Sequence, residues 1–215
     1  MSGSGPSATT PLPVRSCSYK GPITDPVRWQ TLQRRPGDIF ICAPAKSGTT
    51  WVQAICAMLI FGTAELEVAP AKISPWFDSN LVPASDVSAM MEAQRHRRYV
   101  KTHTPLDGIP YYSDCSYIAV YRDPRDTFLS MMRLAASTVQ GSPAAAKLGD
   151  LHALFGMWVA EPFRPGMAEQ LSLAAIAHHF NLFQSLSLSK LCFFGSCTHS
   201  FHFFHLKQNV TLKSL

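Results

Sequence analysis

The sequence predicts an α/β protein, and three stretches carry that prediction. Asp38 to Cys42 is a short apolar run of β-forming residues, followed by a breaker-rich loop and then by an apolar helix from Thr49 to Phe61. Tyr99 to His103 is a second short strand, which runs into Thr104-Pro105. Ser116 to Tyr121 is a third, and the Asp123-Pro124 pair after it supplies a cap and a first-turn proline that start a helix sharply. Strands alternating with helices fold as a parallel sheet covered by helices. With 215 residues, 47% apolar and 15% charged, the chain suits one globular domain with a well-buried core.

The net charge of +5 fits a polyanionic partner of some kind. Basic residues cluster only at Arg95-His96-Arg97-Arg98, too short a run for a nucleic-acid arm and without a nucleic-acid motif, so it reads as a solvated helix end. The cysteines Cys17, Cys42, Cys56, Cys115, Cys192 and Cys197 form no CxxC pair and no metal-like spacing, and read as small hydrophobes in a reducing compartment. The start lacks a basic region followed by an apolar one, and the apolar helix from Val52 to Phe61 is too short to span a bilayer. A soluble cytosolic protein with no membrane or nucleic-acid partner is expected, of undetermined oligomeric state.

In chain order, Met1 to Leu12 is rich in Ser, Gly, Pro and Thr and reads as part of a disordered arm over residues 1–18, ahead of a domain over 19–186. Between Tyr19 and Asp38, a short amphipathic piece around Val27 to Leu32 brings Trp29 to the core. The strand, tight loop and helix that follow build an anion site. The first amides of the helix lack intrahelical acceptors and point, with the positive end of the dipole, into the loop. Gly48 admits a close backbone approach, Lys46 adds a mobile charge, and the hydroxyls of Ser47, Thr49 and Thr50 add donors. Trp51, Ile55, Met58 and Leu59 recur at helical spacing in a helix that is apolar nearly all round and should be largely buried.

Residues 63–83 form a long irregular stretch whose Trp76 and Phe77 suit either a ligand pocket or core packing. Ala84 to Arg98 reads as a helix capped by Ser85. The strand from Tyr99 delivers His103 at its carboxyl end, the edge at which ligands sit in open α/β sheets, with Lys101 two residues earlier on the same face. Arg122, between a strand end and a helix start, suits an anion clamp, or alternatively an ion pair to Asp126. Val139 to Ala146 reads as a loop, and Lys147 to Val159 and Gln170 to Leu186 as helices, with His178 and His179 packing or facing solvent. From Ser187 to Leu215 the chain turns rich in Ser, Phe and His without an acidic residue or a clear period, and reads as an atypical tail.

The motifs also carry a family resemblance. AKSGTTW, Ala45 to Trp51, resembles the 5′-phosphosulfate-binding loop of the sulfotransferases that use 3′-phosphoadenosine 5′-phosphosulfate (PAPS), with the lysine ahead of the glycine and not after it as in the common nucleotide loop. GPITDPVRW and RPGD, from Gly21 to Asp38, resemble the lead-in of the bacterial-type members. KTHTPLDGIP, from Lys101, is similar to the strand carrying the catalytic base, and YRDPRDTFLS, from Tyr121, to the 3′-phosphate segment.

Over Tyr19 to Leu186 the resemblance implies a three-layer, P-loop-like fold with a central parallel sheet flanked by helices. It implies sulfuryl transfer from PAPS to the hydroxyl or amine of a small-molecule acceptor. His103 would act as base, and Lys46, perhaps with Lys101, would offset charge on the leaving oxygen. Ser47, Gly48, Thr49 and Thr50 would cradle the 5′-phosphate, Trp51 would lie by the adenine, and Arg122 with Ser130 would bind the 3′-phosphate, with no metal. A family member continues beyond this point to an Arg-Lys-Gly segment that holds the 3′-phosphate and adenine, which this sequence lacks. A shortened, impaired or inactive product is therefore expected. A small-molecule kinase and a non-enzymatic cofactor-binding protein stand as alternatives.

Overall fold

A computed structural model describes residues 14–140, 149–167, 170, 172–185, 191–197 and 200–205. Residues 1–13 of the arm expected over 1–18, and residues 141–146 of the loop expected over Val139 to Ala146, lie outside them. Strand β1 (Ile39–Cys42) is flanked by β2 (Tyr99–Thr102) and β3 (Ser116–Arg122), followed by β4 (Leu191–Cys197) and β5 (Ser200–His205), in the order β2-β1-β3-β4-β5. The first four run parallel and β5 is antiparallel to β4. The helices are α1 (Thr49–Phe61), α2 (Pro70–Ile73), α3 (Ala84–Ala93), α4 (Pro124–Val139), α5 (Leu151–Ala160) and α6 (Leu173–Ser185).

All four residues of β1 are buried, as a central strand covered on both faces must be. Successive side chains leave on opposite faces. Phe40 and Cys42 join Trp29, Phe77, Val100, Tyr117 and Ala119 in one core cluster, while Ile39 and Ile41 meet Val52, Cys56, Ala57, Ile118 and Val120 in the other. The second cluster seats α1. Its buried face is Thr49, Val52, Gln53, Cys56 and Ala57, whereas Trp51 is 66% and Leu59 42% exposed, so the helix is buried on one side only and not largely buried as its apolar composition suggested. A helix apolar all round has no face legible in its pattern. Contact with the sheet selected the small residues Cys56 and Ala57, which allow a close approach.

The basic cluster is also not what its composition suggested. Helix α3 ends at Ala93, and Ser85 bonds Asp86 instead of capping, because Pro83 occupies the cap position. Arg98 is 1% exposed and forms a two-pronged ion pair with Asp38, Nη2 to Oδ2 at 2.7 Å and Nε to Oδ1 at 3.0 Å. Arg97 donates to the Gly37 carbonyl at 2.7 Å and the Ser116 hydroxyl at 3.1 Å. These arginines tie together the amino ends of three strands.

Beyond residue 186, where the composition changes, β4 pairs with β3 from Tyr117↔Leu191 to Arg122↔Ser196. Toward the other terminus, the amides of Ser16 and Cys17 both donate to the Asp107 carbonyl. Helices α4, α5 and α6 share a third cluster of Phe128, Met131, Trp158 and Ile176. Among the described residues no helix is long and apolar enough to cross a membrane.

Removing Arg98 strands a buried carboxylate, so Arg98→Ala is expected to lose about 3 to 5 kcal/mol of folding stability in urea titration. A loss below about 1 kcal/mol, the range of an exposed pair, would show that Asp38 finds water in the folded state.

Candidate functional site

The parallel register brings three strand ends to one edge. Cys42 lies beside Thr102 on one side and Ala119 on the other, and β3 continues through Val120 and Tyr121 to Arg122. Each end then delivers one part of the site.

From β1 the chain turns through Ala43-Pro44-Ala45, with the Ser47 amide donating to the Pro44 carbonyl at 3.3 Å. Lys46 stands at φ 65° and Gly48 at φ 106°, both in the left-handed region that favours glycine. Strain at a non-glycine residue in a tight loop is a feature of ligand sites. Gly48 is the N-cap of α1, and its carbonyl accepts from the amides of Trp51 and Val52. No side chain caps this end, and among the described residues the amides of Gly48, Thr49 and Thr50 have no acceptor. The Ser47 hydroxyl is buried without a hydrogen-bond partner. A buried donor left unsatisfied costs about 1 to 3 kcal/mol, which an anion at the helix end would offset. Thr49 is buried and Thr50 exposed, so the two do not present equivalent hydroxyls.

From β2 comes His103. Its Nδ1 lies 2.7 Å from the Ala43 carbonyl, which can only accept, so Nδ1 carries the proton and Nε2 keeps its lone pair. Burial, helped by the charges of Lys101 and Lys46, pushes His103 down to about 4, against the pull of the Ala43 bond. Lys101 is itself lowered, first by burial and then by Lys46, with Asp78 opposing. The ring of Trp76 meets the His103 imidazole edge-on with centroids 4.7 Å apart and takes the Lys101 Nζ at 5.1 Å from its centroid. Phe77, in contrast, is 2% exposed and packs on Trp29 at 4.9 Å, which assigns it to the core.

From β3 comes Arg122, half-buried, whose Nη1 reaches the Lys46 carbonyl at 3.5 Å. It also forms the ion pair to Asp126 that the sequence allowed, at a loose 3.8 Å. Ser130 lies one turn beyond Asp126 on the same face of α4 and is half-buried. Trp51 sits in the first turn of α1 with two thirds of its surface in solvent. The structure therefore gathers Lys46, Ser47, Lys101, His103 and Arg122 at one edge, with Ser130 flanking and Trp51 on the outer side of the helix.

Two features were not anticipated. Asp78 is fully buried and accepts from Thr102 and Thr104, the residues on either side of His103. His179, on α6, is buried and pushed down to about 3 by burial and then by His178 and His103, so it lies within electrostatic reach of the site. His178 instead bonds the Tyr19 hydroxyl at 2.9 Å and stacks on Phe163. Neither feature has a signal in the sequence: a lone carboxylate in an irregular stretch has no spacing to read, and nothing in the His178-His179 pair distinguishes the inward residue.

Known proteins share the sequence and fold of much of this chain. The family described as the sulfotransferase domain matches residues 36–196. A glycolipid sulfotransferase of Mycobacterium tuberculosis is 45% identical over 119 residues, covering 55% of this chain and 36% of that protein. Cytosolic sulfotransferase 17 of Arabidopsis thaliana is 29% identical over 112 residues, 47% of this chain and 32% of the relative. The chain thus spans about a third of the length of these relatives. In fold, a mouse sulfotransferase crystallised with PAP superposes with a TM-score of 0.52 at 18% identity, covering 79% of this chain and 55% of that one. Retinol dehydratase in complex with retinol and PAP gives 0.51 at 16% identity, with 76% and 55% covered.

The histidines make stability depend on pH. His103 falls from an ordinary 6.5 to about 4 and His179 from 6.5 to about 3. Below 6.5 the unfolded chain takes up protons that the folded chain refuses, so stability is full above that pH and drains as pH falls toward 4 for His103 and toward 3 for His179. His103→Gln is expected to flatten the fall in urea midpoint between pH 6.5 and 4. Identical slopes in parent and variant would mean that His103 titrates normally.

Proposed function

Because this chain belongs to the sulfotransferase domain family, we propose that its site binds PAPS and passes the sulfuryl group to the hydroxyl or amine of a small-molecule acceptor. When bound, PAPS supplies the sulfuryl group and a phosphate leaving oxygen. The loop is suited to its 5′ side: the unpaired amides of Gly48, Thr49 and Thr50, the unpartnered Ser47 hydroxyl and the Lys46 ammonium are a donor set for phosphate. Arg122 and Ser130 are assigned to the 3′-phosphate, and Trp51 to the neighbourhood of the adenine.

The observation that carries the catalytic part is the protonation of His103. Its Nδ1 proton is committed to Ala43, so Nε2 is free to take the proton of the attacking hydroxyl or amine. A base held near 4 is largely unprotonated at neutral pH and therefore ready. It becomes a stronger base as negative charge accumulates beside it, because charge at the site offsets that of Lys46 and Lys101. Those two lysines stabilise charge on the leaving oxygen, and their partial burial strengthens the effect. The mycobacterial relative is named a glycolipid sulfotransferase, which makes a sugar hydroxyl on a lipid the first acceptor to test.

Incubation with labelled PAPS and an acceptor panel tests the reading. His103→Ala is expected to cut turnover roughly a hundredfold to ten-thousandfold with PAP binding nearly intact. Unchanged turnover would remove His103 from the mechanism, and absence of transfer to any acceptor, by parent and variant alike, would leave a binding protein.

Arg122→Ala is expected to weaken PAP by about 1.5 to 3 kcal/mol in calorimetric titration while affecting adenosine 5′-phosphate far less. Equal losses for the two ligands would move Arg122 to the 5′ side or to a purely structural role.

A further inference from the structure

A mechanism that depends on the lone pair of His103 needs that ring to stay in one tautomer and one orientation, and the Ala43 carbonyl alone does not secure this. The residues that follow α2 supply the remainder. Pro75 to Asp78 runs alongside β2 as an added parallel bridge: the Lys101 amide donates to the Pro75 carbonyl at 3.1 Å and the Phe77 amide to the Lys101 carbonyl at 3.0 Å. At the end of this strap one oxygen of Asp78, Oδ2, accepts from the Thr102 hydroxyl at 2.8 Å and the Thr104 hydroxyl at 2.6 Å. The Thr102 hydroxyl in turn accepts from the Thr104 amide at 2.9 Å.

We infer that Asp78 is a positioning residue for the general base: by tying both neighbours of His103 to one buried oxygen, it fixes the backbone from which the imidazole reaches Ala43. The inference rests on the role of His103 proposed above. Thr102, Thr104 and Asp78 are all buried, so water does not compete for these bonds. Beyond Thr102 the strand has ended, and the last backbone bond on the β1 side is that of the Ala43 amide to the Thr102 carbonyl at 3.3 Å. A short polar tie therefore does at residue 103 what sheet hydrogen bonds do up to residue 102. The Trp76 ring, borne on the same strap, supports the imidazole from its side. The tie uses an oxygen and not the negative charge, which separates it from a merely electrostatic role.

The experiment uses the full chain and reads the ring nitrogens of His103 by nitrogen-15 NMR, beside a thermal melt and calorimetric titration with PAP. The parent is expected to show Nδ1 protonated and Nε2 unprotonated. Asp78→Ala is expected to show exchange between tautomers at His103, with PAP affinity unchanged. Asp78→Asn keeps an acceptor oxygen and is expected to restore the single tautomer. Where the chain transfers sulfuryl groups, kcat should fall about a hundredfold in Asp78→Ala, the scale of a misplacement near 1 Å, with KM for PAPS unchanged. A single Nδ1-protonated form in a cooperatively melting Asp78→Ala overturns the inference.

If Asp78→Ala does not melt cooperatively, Thr104→Val decides instead, because it removes one of the two ties and leaves the carboxylate its Thr102 partner. Tautomer exchange in that variant supports the inference, and a single form refutes it. The NMR readout needs no turnover. Exchange without sulfuryl transfer in the parent counts against the proposed function alone, whereas active parent and Asp78→Ala proteins with identical His103 signals count against the positioning role alone.

Discussion

The buried ion pair between Asp38 and Arg98 is the constraint on which the rest of the structure depends. The two residues immediately precede β1 and β2, and their backbones are joined as well: Ile39 donates to the Arg98 carbonyl and Ser116 to the Asp38 carbonyl. Register is therefore pinned at the amino ends of three strands. A slip of one residue in any of them would exchange the faces of the whole strand and send Lys101 and His103 to the wrong sides. The pair contributes geometry more than net free energy, since a buried pair often gains little over apolar residues of similar volume. Aligned at one end, β1 and β2 finish together at the other edge, where β3 runs on past them to Arg122.

At that edge the protein concentrates positive charge where water is partly excluded. Lys46 comes from the loop after β1, Lys101 from β2 and Arg122 from the end of β3. Lys101 sits below its ordinary value and His103 near 4, both for reasons led by burial. The positive charges of Lys101 and Lys46 add to that burial in keeping His103 neutral. Asp78 moderates the field at Lys101 while being pushed upward by its own burial, which its threonine partners only offset.

The loop after β1 and the strap before α3 converge on this edge from opposite sides. The buried Gln53 amide of α1 donates to the Ser74 carbonyl at 2.7 Å, which links the helix of the anion loop to the segment bearing Trp76 and Asp78. The helix that opens at the loop after β1 and the segment that carries Asp78 are thus joined through one buried polar contact.

The amino-acid sequence alone was enough for the α/β class, the three strands β1 to β3 and the starts of α1 and α4, and it put Lys46, Ser47, Gly48, His103 and Arg122 at strand ends and helix starts. These are local matters: strand runs, breaker loops, caps and short motifs read within a dozen residues. It could not select the buried face of α1, because Trp51, Leu59, Cys56 and Ala57 are all apolar and only the approach of the sheet chose among them. It misread Arg98, because a burial partner sixty residues away in the chain leaves no mark in a local run of basic residues. It divided neither Trp76 from Phe77 nor His178 from His179, since adjacent residues differ only in direction and direction is fixed by what packs around them. Asp78 came from the tertiary structure alone: a single carboxylate in an irregular stretch has no spacing to read, and its meaning arises only when chain folding sets it between Thr102 and Thr104.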